Sequence, residues 1–200
     1  MSKTTRRWVP FLFLFLFPAL LSGCAPLEKR VDLNYRQAVY GSGGSGEIFL
    51  ARPVFEKQPA QLPGGRVILG PVRGTDTLIV TTDDLSQWIA DALIQELSSV
   101  GYEVRRVPAL SARVSRGVVL KVQNFSCNQL AGELVLTTST HIALVADVWE
   151  NGRVVKTLTA SAGSEDQGLD RSGPVVAASL EKTLQSTLRE LVPGIIGSFR

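Results

Sequence analysis

Few side chains in this chain have both the type and the spacing for chemistry. His141 is the sole histidine and lies in a run that also holds Thr138 and Thr140. A hydroxyl-histidine pair could activate a nucleophile, but neighbouring strand residues point to opposite faces, and no acid within two residues could orient the ring. Cys127, in Asn124-Phe125-Ser126-Cys127-Asn128-Gln129, would need an exposed, electropositive setting to act as a thiolate, and is read as a buried free thiol. Glu165, Asp166 and Asp170 offer oxygen donors of the kind calcium takes, yet lack alternating acids around a central glycine, so they read as a solvated loop. With one histidine and two cysteines, a multi-ligand His/Cys metal site is excluded. The expectation is a protein with no catalytic residue, no metal and no cofactor, hence not an enzyme.

The formal charge of +3 invites a nucleic-acid reading, and its location removes it. Three of the 21 bases, Lys3, Arg6 and Arg7, lie within residues 1–23, which hold no acid; the remaining 18 bases balance 18 acids. Phosphate binding needs a net or clustered excess of Lys and Arg. Within the balanced part the charges are segregated. Residues 74–104 hold Asp76, Asp83, Asp84, Asp91, Glu96 and Glu103 without a base, and residues 105–132 hold Arg105, Arg106, Arg113, Arg116 and Lys121 without an acid. The five bases are a candidate partner-binding block, since opposed potentials steer association. Alternatively the two blocks are spatial neighbours and neutralise each other.

The front of the chain carries the clearest chemistry. A basic stretch precedes the apolar residues 11–21, which include FLFLFLF, and small residues follow. Eleven helical residues cover about 16 Å, well short of a bilayer core of roughly 30 Å, so this is an export signal and not a permanent span. Leu21, Ser22, Gly23 and Cys24 resemble a bacterial lipobox. The resemblance implies diacylglyceryl transfer to the Cys24 sulfur, cleavage before it, and acylation of the new amino terminus, commonly as palmitate. Two or three acyl chains hold a protein firmly in a membrane. Ala25 after the cysteine, by resemblance to sorted Gram-negative lipoproteins, implies the outer membrane.

Three segments follow: signal peptide 1–23, a flexible lipid-anchored tether 24–47, and a periplasmic domain 48–200. The tether reading rests on Pro26, mixed charges and Gly41-Ser-Gly-Gly-Ser-Gly46, and such a chain spans roughly 25 Å, letting the domain stand clear of lipid. In the domain, residues 48–55, 66–70, 78–82, 102–107, 118–125, 134–149 and 153–162 read as strands. Leu85, Trp88, Ile89, Ala92, Leu93, Leu97 and Val100 mark one helical face, opened by Asp83 or Asp84 as N-cap and closed by Gly101. Asn151-Gly152 predicts a type I′ hairpin. A two-residue turn sets Glu150 opposite Arg153 and Asp147 opposite Lys156, but turns Thr157 and Thr159 to the Leu144 face; either both faces are partly covered or a bulge shifts the parity. A last helix starts near Ser172 or Gly173, with Pro174 in its first turn and Val176, Leu180, Leu184, Leu188 and Leu191 in one stripe, and ends at Pro193. The expected fold is α+β: a single domain with a mainly antiparallel sheet and two amphipathic helices packed on one face.

The lipobox at 21–24, the Gly101-Tyr102-x-Val104 step after the helix, the Asn-Gly hairpin at 142–160 and the closing helix together resemble the YajG-type family of bacterial envelope lipoproteins, over roughly residues 65–192. That resemblance implies an outer-membrane-anchored, periplasm-facing α+β domain and carries over no active-site residue. Trp88 in the first helix and a terminal helix after a hairpin also resemble the auxiliary lipoproteins of ABC-type lipid-transport systems, although the first strand has only Phe49 and Phe55 as aromatics. The expected function is a non-enzymatic, lipid-anchored envelope lipoprotein that binds a protein partner or envelope component, with membrane contact through Cys24 and no nucleic acid; the alternative is an auxiliary subunit of a lipid transporter.

Overall fold

The computed structural model describes residues 27–39, 41, 43–132, 135–169 and 172–199. The signal segment, Leu21, Ser22, Gly23, Cys24 and Asp170 lie outside them. The chain runs β1 (Glu28–Arg30), β2 (Glu47–Ala51), β3 (Val54–Phe55), β4 (Gln61–Leu62), β5 (Arg66–Arg73), β6 (Thr77–Thr81), α1 (Leu85–Ser99), β7 (Glu103–Val107), β8 (Arg116–Ala131), β9 (Leu136–Glu150), β10 (Arg153–Gly168) and α2 (Gly173–Ser198). No helix among the described residues is long and apolar enough to cross a membrane.

The local signals work as their chemistry demands. Asp84 caps α1, its Oδ1 accepting from the Gln87 amide at 3.1 Å. Gly101 follows with φ 110°, where a Cβ would stand 2.5 Å from the Gly44 carbonyl oxygen. Trp88, Ile89, Leu93 and Leu97 are buried, as are Val176, Leu180, Leu184 and Leu188 of α2, and both helices share one apolar core with the sheet. On β9, the alternating residues Leu136 to Val148 all face that core.

Two expectations are corrected. The fold is mostly β, with 46% of the described residues in strands forming a curled, ten-stranded half-barrel, and the sheet is mixed rather than mainly antiparallel. The meander β8–β9–β10 and the pairs β4–β5 and β5–β6 are antiparallel, whereas β1–β6, β2–β7, β2–β8, β3–β8 and β5–β8 are parallel. The parallel pairs join strands far apart in sequence, such as β2 and β7 with α1 between them, and only crossovers allow that. Secondly, α2 runs through Pro193 to Ser198. The amide that proline lacks would have served Arg189, whose exposed side chain marks that turn as facing water. Burial of Ile195 and Phe199 beyond it favours continuing the helix.

The Asn-Gly turn forms, with φ 49° at Asn151 and 78° at Gly152. Arg153 faces Glu150 as expected, but a bulge at Val155 shifts the register, so Lys156 faces Val148 and Thr157 faces Asp147. The bulge resolves the parity conflict: Leu158 and Ala160 now pair with Ala146 and Leu144 on the core side.

Candidate functional site

The segment read as a free tether is laid on the domain. β1 pairs in parallel with β6, and the Val31 amide donates to the Val80 carbonyl at 2.9 Å. Residues 33–39 then form a strap across both helices. Leu33 donates its amide to Asp83 at 2.7 Å, the Trp88 indole donates to the Asn34 carbonyl at 3.0 Å, and Gln185 donates to the Arg36 carbonyl at 2.7 Å. Two carboxylates, one on each helix, do the latching. Glu96 of α1, fully buried, accepts the Ala38 amide at 2.7 Å, the Val39 amide at 2.8 Å and the Tyr35 hydroxyl. Glu181 of α2 accepts the Arg36 amide at 2.8 Å and its guanidinium at 3.1 Å. Burial and then the Glu96 carboxylate push the Tyr35 phenol well above its usual range. Sequence reasoning missed this strap. Its signal is the alternation Val31, Leu33, Tyr35, with Val39 beyond: Val31 is buried and the others pack on the core.

The candidate basic block is distributed among partners. Arg105 pairs with Glu103 at 3.1 Å and with Glu47; Arg106 pairs with Asp91; Lys121 pairs with Asp147 at 2.6 Å. The Arg116 guanidinium donates to the Ser45 carbonyl at 3.1 Å and lies 5.8 Å from the Phe199 ring centroid. Arg113 is exposed, with no ion pair among the described residues. The two blocks therefore meet, through Arg105–Glu103 and Arg106–Asp91, and much of the acidic block is engaged elsewhere: Asp84 pairs with Arg52 at 2.6 Å, while Asp83 and Glu96 hold the strap. The Lys121 ammonium and then the Thr157 hydroxyl hold the Asp147 carboxyl below its ordinary value.

The catalytic candidates do not assemble. Cys127 is buried in β8, and burial pushes its thiol up to about 12, so it is not a thiolate near neutrality. His141 stands opposite Ser126 and Gly163, and its buried Nδ1 has no hydrogen-bond partner among the described residues, so no carboxylate orients the ring from that side. Thr140 points the other way, into a hydroxyl cluster beneath α2. There Ser164 and Ser179 share a hydrogen bond of 2.8 Å, Thr140 bonds Thr183, and Ser179 donates to Asp166 at 2.9 Å. Lys182 also donates to Asp166 at 2.9 Å and is the first cause of its lowered pKa. A serine beside a lysine-bound carboxylate is a suggestive set, but Ser179 is only 2% exposed and Thr183 1%. It is a satisfied polar seam between helix and sheet. Glu165 and Asp166 lie in strand β10, opposite Ser139 and Thr138, and not in the solvated loop expected for them, and no metal-holding cluster occurs among the described residues.

A cleft of about 350 Å³ opens at the start of α1, lined by Arg52, Phe55, Gln61, Asp83 and Asp84 among others, and it is too charged to be an apolar groove. The other notable surface is β10: sixteen residues long, it ladders, among the described residues, with β9 alone, so that no described strand covers its outer edge.

No family model matches the sequence, and no curated protein matches it either. The fold is shared with solved bacterial structures. A Xanthomonas campestris protein of the DUF330 family is 15% identical, with a TM-score of 0.60 over 86% of this chain and 96% of that one. A hypothetical protein of Chlamydia trachomatis is 12% identical, with a TM-score of 0.50 over 77% and 97%. A Neisseria meningitidis lipoprotein, at 13% identity over 77% and 97%, has a TM-score of 0.34, too low to carry an argument. The class these likenesses define is a fold found in bacterial proteins of the DUF330 kind; they do not single out the YajG-type family.

Proposed function

We propose that this chain is a lipid-anchored envelope lipoprotein, held in the outer membrane by acyl chains on Cys24 and facing the periplasm, whose domain is a non-enzymatic binding module for a protein partner or another envelope component. The observation that carries the binding half is the open edge of β10. Unpaired backbone donors and acceptors along a long edge are a template for an added strand, and exposed Val154 and Val155 give it apolar purchase at the hairpin end. The buried thiol of Cys127, the unpartnered Nδ1 of His141 and the closed hydroxyl seam support binding over catalysis.

A second reading, an auxiliary lipoprotein subunit of an ABC-type lipid-transport system, draws support from the buried Trp88 on α1 and from α2 following the β9–β10 hairpin. Crosslinking in intact cells followed by pull-down separates the two, because the second requires transporter subunits among the products. Val155→Lys with Thr159→Lys places charge on the β10 edge and should abolish the principal crosslink. An undiminished crosslink would remove β10 as the interface. Charge reversal of Arg105, Arg106 and Arg113 to Glu tests the basic block in the same assay, and retention of every partner would remove that role. A Cys24→Ala chain should leave the membrane fraction.

A further inference from the structure

The strand registers bring one set of strand ends into a single row. Glu28 of β1 stands opposite Leu78, Leu78 opposite Pro71, Thr77 opposite Val72, Arg73 opposite Leu130, Ala131 opposite Leu136, and Leu136 opposite Gly168. The row crosses β1, β6, β5, β8, β9 and β10, five strand spacings or about 24 Å measured along the sheet. Its rim is apolar. Leu27, Leu130, Val135 and Leu169, at 74%, 55%, 41% and 79% exposure, each lie at one of these strand ends or one residue beyond it. Exposed Arg73 accompanies them, with Asp76 in the intervening turn.

The chain enters the domain at this rim. Leu27 is fixed there, because its carbonyl accepts the Leu78 amide at 2.8 Å. Cys24 lies three residues before it, and three residues reach at most about 10 Å. The long tether expected from composition does not separate the anchor from the domain, since residues 28–39 are docked.

We infer that this rim is a membrane-apposed face, with Leu27, Leu130, Val135 and Leu169 seated in the headgroup layer of the phospholipid that holds the acyl chains. The inference rests on the proposed acylation of Cys24 and deepens it. A leash of about 10 Å holds the row against lipid, where exposed leucines gain by leaving water and Arg73 meets phosphate. The Asn151–Gly152 turn, at the other end of β10, then lies about 50 Å away along the strand, in the periplasm.

The test uses full-length, acylated protein in phosphatidylethanolamine–phosphatidylglycerol vesicles carrying nitroxide-labelled lipid. Leu130, Leu169 and Val154 are replaced singly by Cys and labelled with a fluorophore; acylated Cys24 and buried Cys127 stay unlabelled. The Leu130→Cys and Leu169→Cys labels should be quenched several-fold more than the Val154→Cys label. Equal quenching at the three sites in protein that floats with the vesicles overturns the rim alone. Protein that does not float overturns the anchor reading and the rim with it.

Discussion

Glu96→Ala should release the strap while leaving both helices intact. The buried carboxylate accepts three hydrogen bonds, from Tyr35, Ala38 and Val39. Hydrogen bonds to a charged group contribute about 1.5–3 kcal/mol each, so three set a ceiling of roughly 4.5–9 kcal/mol. Two effects reduce it: the strap can retreat into water and hydrate its donors, and deletion also removes the cost of keeping a carboxylate out of water. A loss of about 3 kcal/mol is expected, a large part of a stability of order 5–15 kcal/mol. In Glu96→Gln the amide oxygen can replace Oε1, which accepts from Tyr35 and Ala38, but the amino group then opposes the Val39 amide. That variant should lose about 1–2 kcal/mol. Urea denaturation gives the magnitudes, and hydrogen exchange gives the place, with the Ala38 and Val39 amides exchanging faster than those of β8 and β9. An Ala variant within about 1 kcal/mol of wild type, with residues 38 and 39 still protected, would refute the latch.

Gly70→Ala should prevent native packing, because a Cβ there would stand 1.6 Å from the Cys127 carbonyl oxygen, and purified variant should show lost near-ultraviolet dichroism. The Cys127 thiol, buried with its pKa near 12, should react with a disulfide reagent only as fast as the domain opens, so labelling kinetics in native buffer report that opening. The Asp147 carboxyl titrates lower in the folded chain than in the unfolded, so its stabilising contribution is complete above the ordinary Asp range and fades as pH falls through the lowered value. Lys121→Met removes the first cause of that lowering; stability near neutrality should drop slightly and its acid dependence below about pH 4 should flatten, as followed by urea midpoints against pH.

What was legible in the sequence is what neighbouring residues decide. Asp84 and Gly101 mark the ends of α1 because a cap side chain and a left-handed backbone act within one turn, and Asn151-Gly152 marks a hairpin for the same reason. Alternation on β9 is unbroken, so that strand is readable nearly whole, whereas the β8 pattern reads only to Phe125. A bulge at Gln123 switches β8 from even to odd core positions, putting Val118, Leu120 and Val122 on the same side as Cys127 and Gln129. The parallel pairings leave no local trace at all. The strap left one, the period of two from Val31 to Tyr35, but the glycines after it outweighed the pattern in composition. As for the site, residue types alone could show that the charges are blocked out along the chain, and only the placement of β7 beside β2 could show Arg105 and Arg106 meeting Glu103, Glu47 and Asp91.

The docked strap alters what kind of partner contact is feasible. A domain on a long tether could present any side to a partner; one latched through Glu96 and Glu181 and, on the proposed reading, leashed three residues from Cys24 cannot. On the proposed reading its strands rise from the lipid surface, with β1 at one border of the row and β10 at the other. A strand added to β10 would then extend the sheet sideways, away from the strap and the anchor, and a partner could bind without displacing either. Binding through the start of α1 would instead compete with the strap, since Asp83 there already accepts the Leu33 amide. Glu96→Ala thus distinguishes the two surfaces. A loosened strap should leave β10 contacts unchanged in crosslinking, and any partner gained or lost with the strap would have to be docking on the helices.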